Sequence, residues 1–295
     1  MKKLFIEKRF TAESKKLLEK IDDILESYSA QGYDLSVRQL YYQLVAANII
    51  PNSERSYKAI GSLVNDARLA GLIDWDLILD RGRITIHNSH WDNPADILLS
   101  AVQSFQIDKW KTQPNYVEVM VEKQALEGVL EPVCKRLDVS FTANKGYSSA
   151  SALYRTGQRF LQRLEQEKNL FIIYLGDHDP SGIDMTRDVK ERMNLFIECI
   201  DDVEVLRIAL NMNQIDELNP PANPAKETDS RCKNYIEKYG ESSWELDAIE
   251  PKALAQLVEN AVLNLRNDTL WNKAVRKERD MILELKNFAN NSKFK

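Results

Sequence analysis

Apolar residues recur along this chain with two periods, helical at first and later strand-like. A polar helix pattern runs from about Thr11 to Ser29, Gly32 breaks it, and Ser36 stands where a new helix needs a cap. Val37, Leu40, Tyr41, Leu44 and Val45 then follow i, i+3, i+4, i+7, i+8, a stripe that faces a core. Tyr41 is therefore expected inside. Tyr42 lies about 100° further round, and with Arg38 four residues before it shares a more exposed face; two tyrosines packing at a helix surface is the plainer alternative. Pro51-Asn52-Ser53 turns the chain into a second helix, with Tyr57, Ile60, Leu63, Val64 and Ala67 inward and Arg55, Lys58, Ser62, Asn65 and Arg68 outward, until Gly71 stops it. Leu72 to Ile86 predicts a strand pair with a turn near Arg81-Gly82-Arg83. Helix, turn, helix and β-wing together make a winged-helix pattern, whose second helix enters the major groove. A small helical subdomain with a solvated charged face fits the same pattern.

From Tyr116 the period changes. Strands at Tyr116–Val121, Val139–Ala143, Leu170–Gly176 and Val203–Leu210 alternate with helices near Gln124–Leu137, Ser149–Glu167 and Ser181–Cys199. This alternation predicts a parallel, Rossmann-like sheet covered by helices on both faces, joined by right-handed crossovers. Asn219-Pro220-Pro221-Ala222-Asn223-Pro224 reads as a rigid connector, and a last helical region follows Trp244-Glu245-Leu246-Asp247-Ala248. The fold class is thus α/β. Its expected divisions are an N-terminal domain at 1–95, a linker at 96–115, and a C-terminal α/β domain at 116–295 with a helical extension.

Composition narrows the setting. The 295 residues, 43% hydrophobic and 29% charged, suit a globular protein with one large or two ordinary cores. No apolar run approaches the roughly 18 residues of a membrane span, and the start turns charged too early for a secretory signal, so no membrane and a cytoplasmic location are expected. Cys134, Cys199 and Cys232 have neither disulfide nor zinc spacing. A net charge of -5 argues only weakly against nucleic acid, because an acidic site can coexist with local basic surface.

The candidate chemistry sits where two strands end. Glu122 follows Val121, and Asp177-His178-Asp179-Pro180-Ser181-Gly182 follows the third strand. Carboxylates at the carboxyl ends of neighbouring buried strands converge on the crevice where open α/β sheets bind ligands. Hard oxygen donors of this kind suit Mg²⁺, with Mn²⁺ as the alternative. An Asp-x-Asp alone usually means a turn, and joining it to Glu122 makes the signal more specific. Gly146-Tyr147-Ser148-Ser149, at a strand-to-helix junction, offers backbone N–H groups to an anion. Lys226, Asp229 and Arg231 form a charged cluster, and Glu245 and Asp247 read as caps, surface charges or acids behind the metal ligands rather than as ligands.

Glu122-Lys123 and Asp177-His178-Asp179-Pro180-Ser181-Gly182 together resemble a Toprim domain of the type found in topoisomerase VI A subunits and their meiotic double-strand-break relatives. Ser36-Val37-Arg38-Gln39-Leu40-Tyr41-Tyr42 resembles the Arg-x-x-aromatic-Tyr motif in the winged helix of those proteins. The chain is most similar in outline to their compact stand-alone Mini-A homologues from mobile elements, and more distantly to the Toprim nuclease subunit of Wadjet plasmid-defence systems. The resemblance implies Tyr42 as the catalytic tyrosine with Arg38 beside it, Glu122 as catalytic and metal-binding glutamate, and Asp177 and Asp179 as metal ligands. It implies cleavage of double-stranded DNA through a 5′-phosphotyrosyl link, a homodimer in which the tyrosine of one subunit meets the acids of the other, and a nucleoid-associated location. The recognition helix would use Arg55, Lys58, Ser62, Asn65 and Arg68. The chain has no room for the ATPase partner of full topoisomerases, so strand passage would require a separate partner subunit. A hydrolytic Toprim nuclease and a non-catalytic DNA-binding component of a mobile element are the alternatives.

Overall fold

Three helices open the chain, each started by a side chain that satisfies an otherwise unpaired N–H. The computed structural model describes residues 2–33, 35–78, 88–198, 203–225 and 229–291. Thr11 caps α1 (Ala12–Ala30), Ser36 forms a reciprocal capping box with Gln39 on α2 (Val37–Ala46), and Ser53 caps α3 (Glu54–Leu69). Their apolar stripes meet in one core built on Leu18, Ile21, Leu25, Leu40, Leu44, Ile60 and Val64. Ala248, from far along the chain, completes it. Tyr57 departs from expectation: it is 37% exposed, and its ring meets Tyr41 edge-on, with centroids 5.5 Å apart.

The strand expected from Leu72 does not form among the described residues. Asp74 instead caps a single 3₁₀ turn at Trp75–Leu77, and Ile78 makes only an isolated parallel bridge to Leu35. Arg68 also departs from expectation. Expected to point outward, it turns back to donate to the carbonyls of Trp75 (3.0 Å) and Ile78, and its guanidinium lies 5.3 Å from the centre of the Trp75 ring. The turn expected at Arg81-Gly82-Arg83 lies outside the described residues.

The segment expected as a linker carries helix α4 (Pro94–Ser104), capped by Asn93. The sheet module follows as β1 (Asn115–Val121), α5 (Glu127–Arg136), β2 (Ser140–Ala143), α6 (Ala150–Leu164), β3 (Asn169–Leu175), α7 (Pro180–Ile197) and β4 (Val203–Ala209). All four strands run parallel in the order β2-β1-β3-β4. Side chains alternate across the pleat. Val117, Val119, Val121, Ile173 and Leu175 pack under α5 and the later helix α10 (Pro251–Asn264), while Met120, Leu170, Ile172 and Tyr174 pack under α6 and α7. Helix α8 (Met212–Leu218) leads into the proline-rich segment, whose end forms β5 (Asn223–Pro224), antiparallel to β6 (Ser242–Ser243) across α9 (Cys232–Tyr239). Helices α10 (Pro251–Asn264) and α11 (Asp268–Asn291) complete the described chain, α11 lying against α4. Among the described residues no helix is long and apolar enough to cross a membrane.

On the α6 face, Glu118 is fully buried and bound by Arg159 through two contacts of 2.7 Å, with the Tyr116 hydroxyl donating a third. A charge so deep in a central strand persists only because it is paired and hydrogen-bonded.

Candidate active site

The sheet order puts its switch point between β1 and β3, because the chain leaves β1 toward β2 on one side and returns as β3 on the other. Glu122 and Asp177 leave the sheet there, side by side. The Asp177 N–H donates to Glu122 Oε2 at 2.9 Å, and the Leu246 N–H donates to Asp177 Oδ1 at 2.8 Å. Asp179 caps α7, its Oδ1 accepting from the Gly182 N–H at 2.6 Å and from the Ser181 hydroxyl at 2.9 Å. A Cβ at Gly182 would fall 2.3 Å from the Asp177 carbonyl and 3.1 Å from Glu122 Oε2, so only glycine lets α7 start this close to the acids. Beneath them Arg207 gathers the carbonyls of Gly176 (3.0 Å), Asp177 (2.6 Å) and Gly182 (3.0 Å).

The three predicted acids are all buried at the ends of β1 and β3, and Glu122 and Asp177 carry the electrostatic mark of it. Burial, then the charge of Asp177, pushes the Glu122 carboxyl up to about 7, and Asp179 adds to the push. Burial also pushes Asp177 up, against the pull of Lys123. His178, between the aspartates, is buried and bonded through Nδ1 to the Tyr235 hydroxyl at 2.7 Å. Burial, with the Arg207 charge, lowers it to about 4, so it is a neutral structural group near neutral pH. Among the described residues no set of three or more His, Cys, Asp or Glu side chains is arranged as a ready metal cage. Both Asp177 oxygens and Oδ1 of Asp179 have partners inside the protein. The donors themselves, three buried carboxylates, have the chemistry that a hard divalent cation needs.

Lys123 follows Glu122 directly after β1. Its ammonium lies 2.8 Å from Asp177 Oδ2, 2.8 Å from Glu245 Oε2 and 2.9 Å from Asp247 Oδ2. Glu245 and Asp247 are therefore part of the site. Burial works against ionisation of Glu245, but Lys123 and Arg38 hold its carboxyl at about 2. Both acids also reach the helical module: Arg38 Nη2 pairs with Glu245, and Arg38 Nε lies 3.2 Å from Asp247.

Tyr42 corrects the sequence reading. It is buried like Tyr41, each 4% exposed, because Asn223 and Glu245 arrive from the other module to cover the face that the helical pattern leaves open. The guanidinium of Arg38 stands 5.9 Å from the Tyr42 ring centre, as the shared helix face implies. Tyr42, Arg38, Asn52, Tyr57 and Glu245 line a cleft of about 450 Å³. Burial, then the Glu245 charge, pushes the Tyr42 phenol up to about 12. Tyr41 instead holds the turn before α3, its hydroxyl donating to Asn52 Oδ1 at 2.8 Å and accepting from the Ser53 N–H at 2.8 Å. On α3, Arg55, Lys58, Ser62 and Asn65 are exposed, Lys58 paired with Glu54 at 2.7 Å, and Arg68 does not join them. Compared with known proteins, the chain matches no family model and no curated protein sequence.

Proposed function

We propose that the protein is a magnesium-dependent DNA-cleaving enzyme of the topoisomerase VI A-subunit type, with Tyr42 as its nucleophile. The observation that carries this reading is a continuous charged seam: Arg38, beside Tyr42, pairs with Glu245, and Glu245 shares Lys123 with Asp177 in the carboxylate crevice. In this reading the N-terminal helices act as a winged helix whose α3 offers Arg55, Lys58, Ser62 and Asn65 to the major groove, and the parallel sheet acts as a Toprim domain. Glu122, Asp177 and Asp179 would hold Mg²⁺ or Mn²⁺, which when bound supplies positive charge to the phosphate oxygens. Tyr42 Oη forms a bond to phosphorus as the bond from phosphorus to the 3′-oxygen breaks. The phenol proton passes to solvent, and the departing oxygen takes one up to leave a 3′-hydroxyl. Arg38 would exchange Glu245 for the phosphate and steady its charge. A homodimer acting on double-stranded DNA, a nucleoid location and a separate partner for strand passage belong to the same proposal, in which the seam sets Tyr42 toward the acids of its own chain rather than toward those of the other subunit.

A hydrolytic nuclease using the same acids is the second reading. It is favoured by the burial of Tyr42 and the upward push on its phenol, both of which work against a phenolate nucleophile. Incubation with supercoiled plasmid and Mg²⁺ or Mn²⁺, followed by denaturation with and without protease, separates the two. Protein-linked ends that vanish in Tyr42→Phe support transesterification. Protein-free cuts at an unchanged rate in Tyr42→Phe support hydrolysis, and cutting that persists in Glu122→Gln removes the crevice from either mechanism.

A further inference from the structure

We propose that Lys123 is a tethered cation occupying, among Asp177, Glu245 and Asp247, the place that a second divalent ion would take, so that the crevice accepts a single exchangeable ion at Glu122, Asp177 and Asp179. The inference rests on the reading of the crevice as a divalent-cation site. Two-ion phosphoryl-transfer sites place their metals about 3.5–4 Å apart on shared carboxylates. Asp177 lies between the two positions: its backbone N–H donates to Glu122 Oε2 at 2.9 Å, while its Oδ2 contacts the Lys123 ammonium at 2.8 Å. Glu245 and Asp247 complete a three-carboxylate surround at 2.8 and 2.9 Å.

Two further observations point to a cation position rather than to an ordinary ion pair. Asp247 is wholly buried, and neither of its carboxylate oxygens has a hydrogen-bond partner, so its only compensation is the charge of Lys123 and of Arg38. A buried carboxylate held by charge alone is a costly arrangement in a structural cluster and a natural one around an ion. Lys123 is also fixed at its root, since its backbone bridges to Lys145 immediately after β1 and its side chain is only 17% exposed. A tethered ammonium never dissociates. It carries one charge instead of two, so it neutralises the acids without offering an open coordination position to water.

The test is Mn²⁺ binding followed by electron paramagnetic resonance and calorimetry on the full chain, which reads stoichiometry independently of cleavage. The wild type is expected to bind one ion that is lost in Glu122→Gln. Lys123→Met, which keeps the stem and removes the charge, is expected either to bind a second ion or to bind the first about tenfold or more tightly, because a unit charge a few ångströms away is gone. Lys123→Arg, which retains the charge, is expected to stay at one ion. Unchanged stoichiometry and affinity in Lys123→Met would overturn the inference while leaving the crevice reading intact. Two ions in the wild type overturn it without any variant, which covers the case of a Lys123→Met protein that does not fold. No Mn²⁺ binding by wild type and Lys123→Met alike overturns the crevice reading, and the inference with it.

Discussion

Glu122 should make the cation-free protein lose stability as the solution becomes less acidic. Its carboxyl, ordinarily near 4.5, is pushed up to about 7 by burial and by Asp177. A folded value above the unfolded one means that the folded state holds the proton more tightly. The stabilisation is then complete below an ordinary 4.5 and lost as pH rises through about 7. At 1.36 kcal/mol per pKa unit, the change is on the order of 3 kcal/mol. Asp177 is shifted in the same direction and adds to it. Glu245 acts oppositely, since a carboxyl lowered to about 2 contributes above its ordinary 4.5 and loses that contribution only in strong acid, outside this window. The perturbation is Glu122→Gln, whose amide oxygen can still accept from the Asp177 N–H. The assay is thermal unfolding of both proteins in chelator between about pH 5 and pH 8. For a chain of this size ~2 °C accompanies each kcal/mol, so the wild type should fall by ~6 °C more than the variant across that range. Saturating Mn²⁺ should flatten the wild-type curve. Parallel curves in chelator would refute the electrostatic coupling described for the crevice.

Arg159→Ala should cost about 3 kcal/mol in urea unfolding, the lower end for a broken buried pair because Arg159 is itself 42% exposed, and adding Glu118→Gln should restore most of the loss. Tyr41→Phe should lower stability by about 1–2 kcal/mol through its lost bonds to Asn52 and Ser53 without removing a DNA adduct, whereas Tyr42→Phe should remove the adduct, as read by denaturing gels. Lys58→Ala should weaken DNA binding and reduce the salt slope by about 1, measured by fluorescence anisotropy across a salt series; an unchanged slope would remove α3 from the DNA interface.

The parallel sheet was readable because each strand is a run of apolar residues ended by a turn or cap, as Leu170 to Leu175 is by Gly176 and Asp177, and because Ser36, Ser53 and Ser149 announce their helices locally. The errors come from partners distant in sequence. Helical phase alone left Tyr42 exposed, since nothing in its own turn foretells that Asn223 and Glu245 will cover it. Arg68 looked like a solvated cation until the carbonyls of Trp75 and Ile78 were brought beneath it. For Glu245 and Asp247 the sequence left caps, surface charges and acids behind the metal ligands all open, and only the fold brings them to Lys123. The one available signal was Lys123 itself, a cation directly after the glutamate that ends β1.

Ala248 sits in the core of the first three helices although it belongs to the far part of the sequence. Cutting the chain between the helical and sheet modules would therefore not give two self-sufficient pieces: the N-terminal fragment would carry an open apolar socket, and the C-terminal fragment would keep the plug. The pieces should be recovered together when co-expressed and should aggregate when made apart. In the intact chain, melting of the helices and release of the acid-bearing loop should be a single calorimetric event.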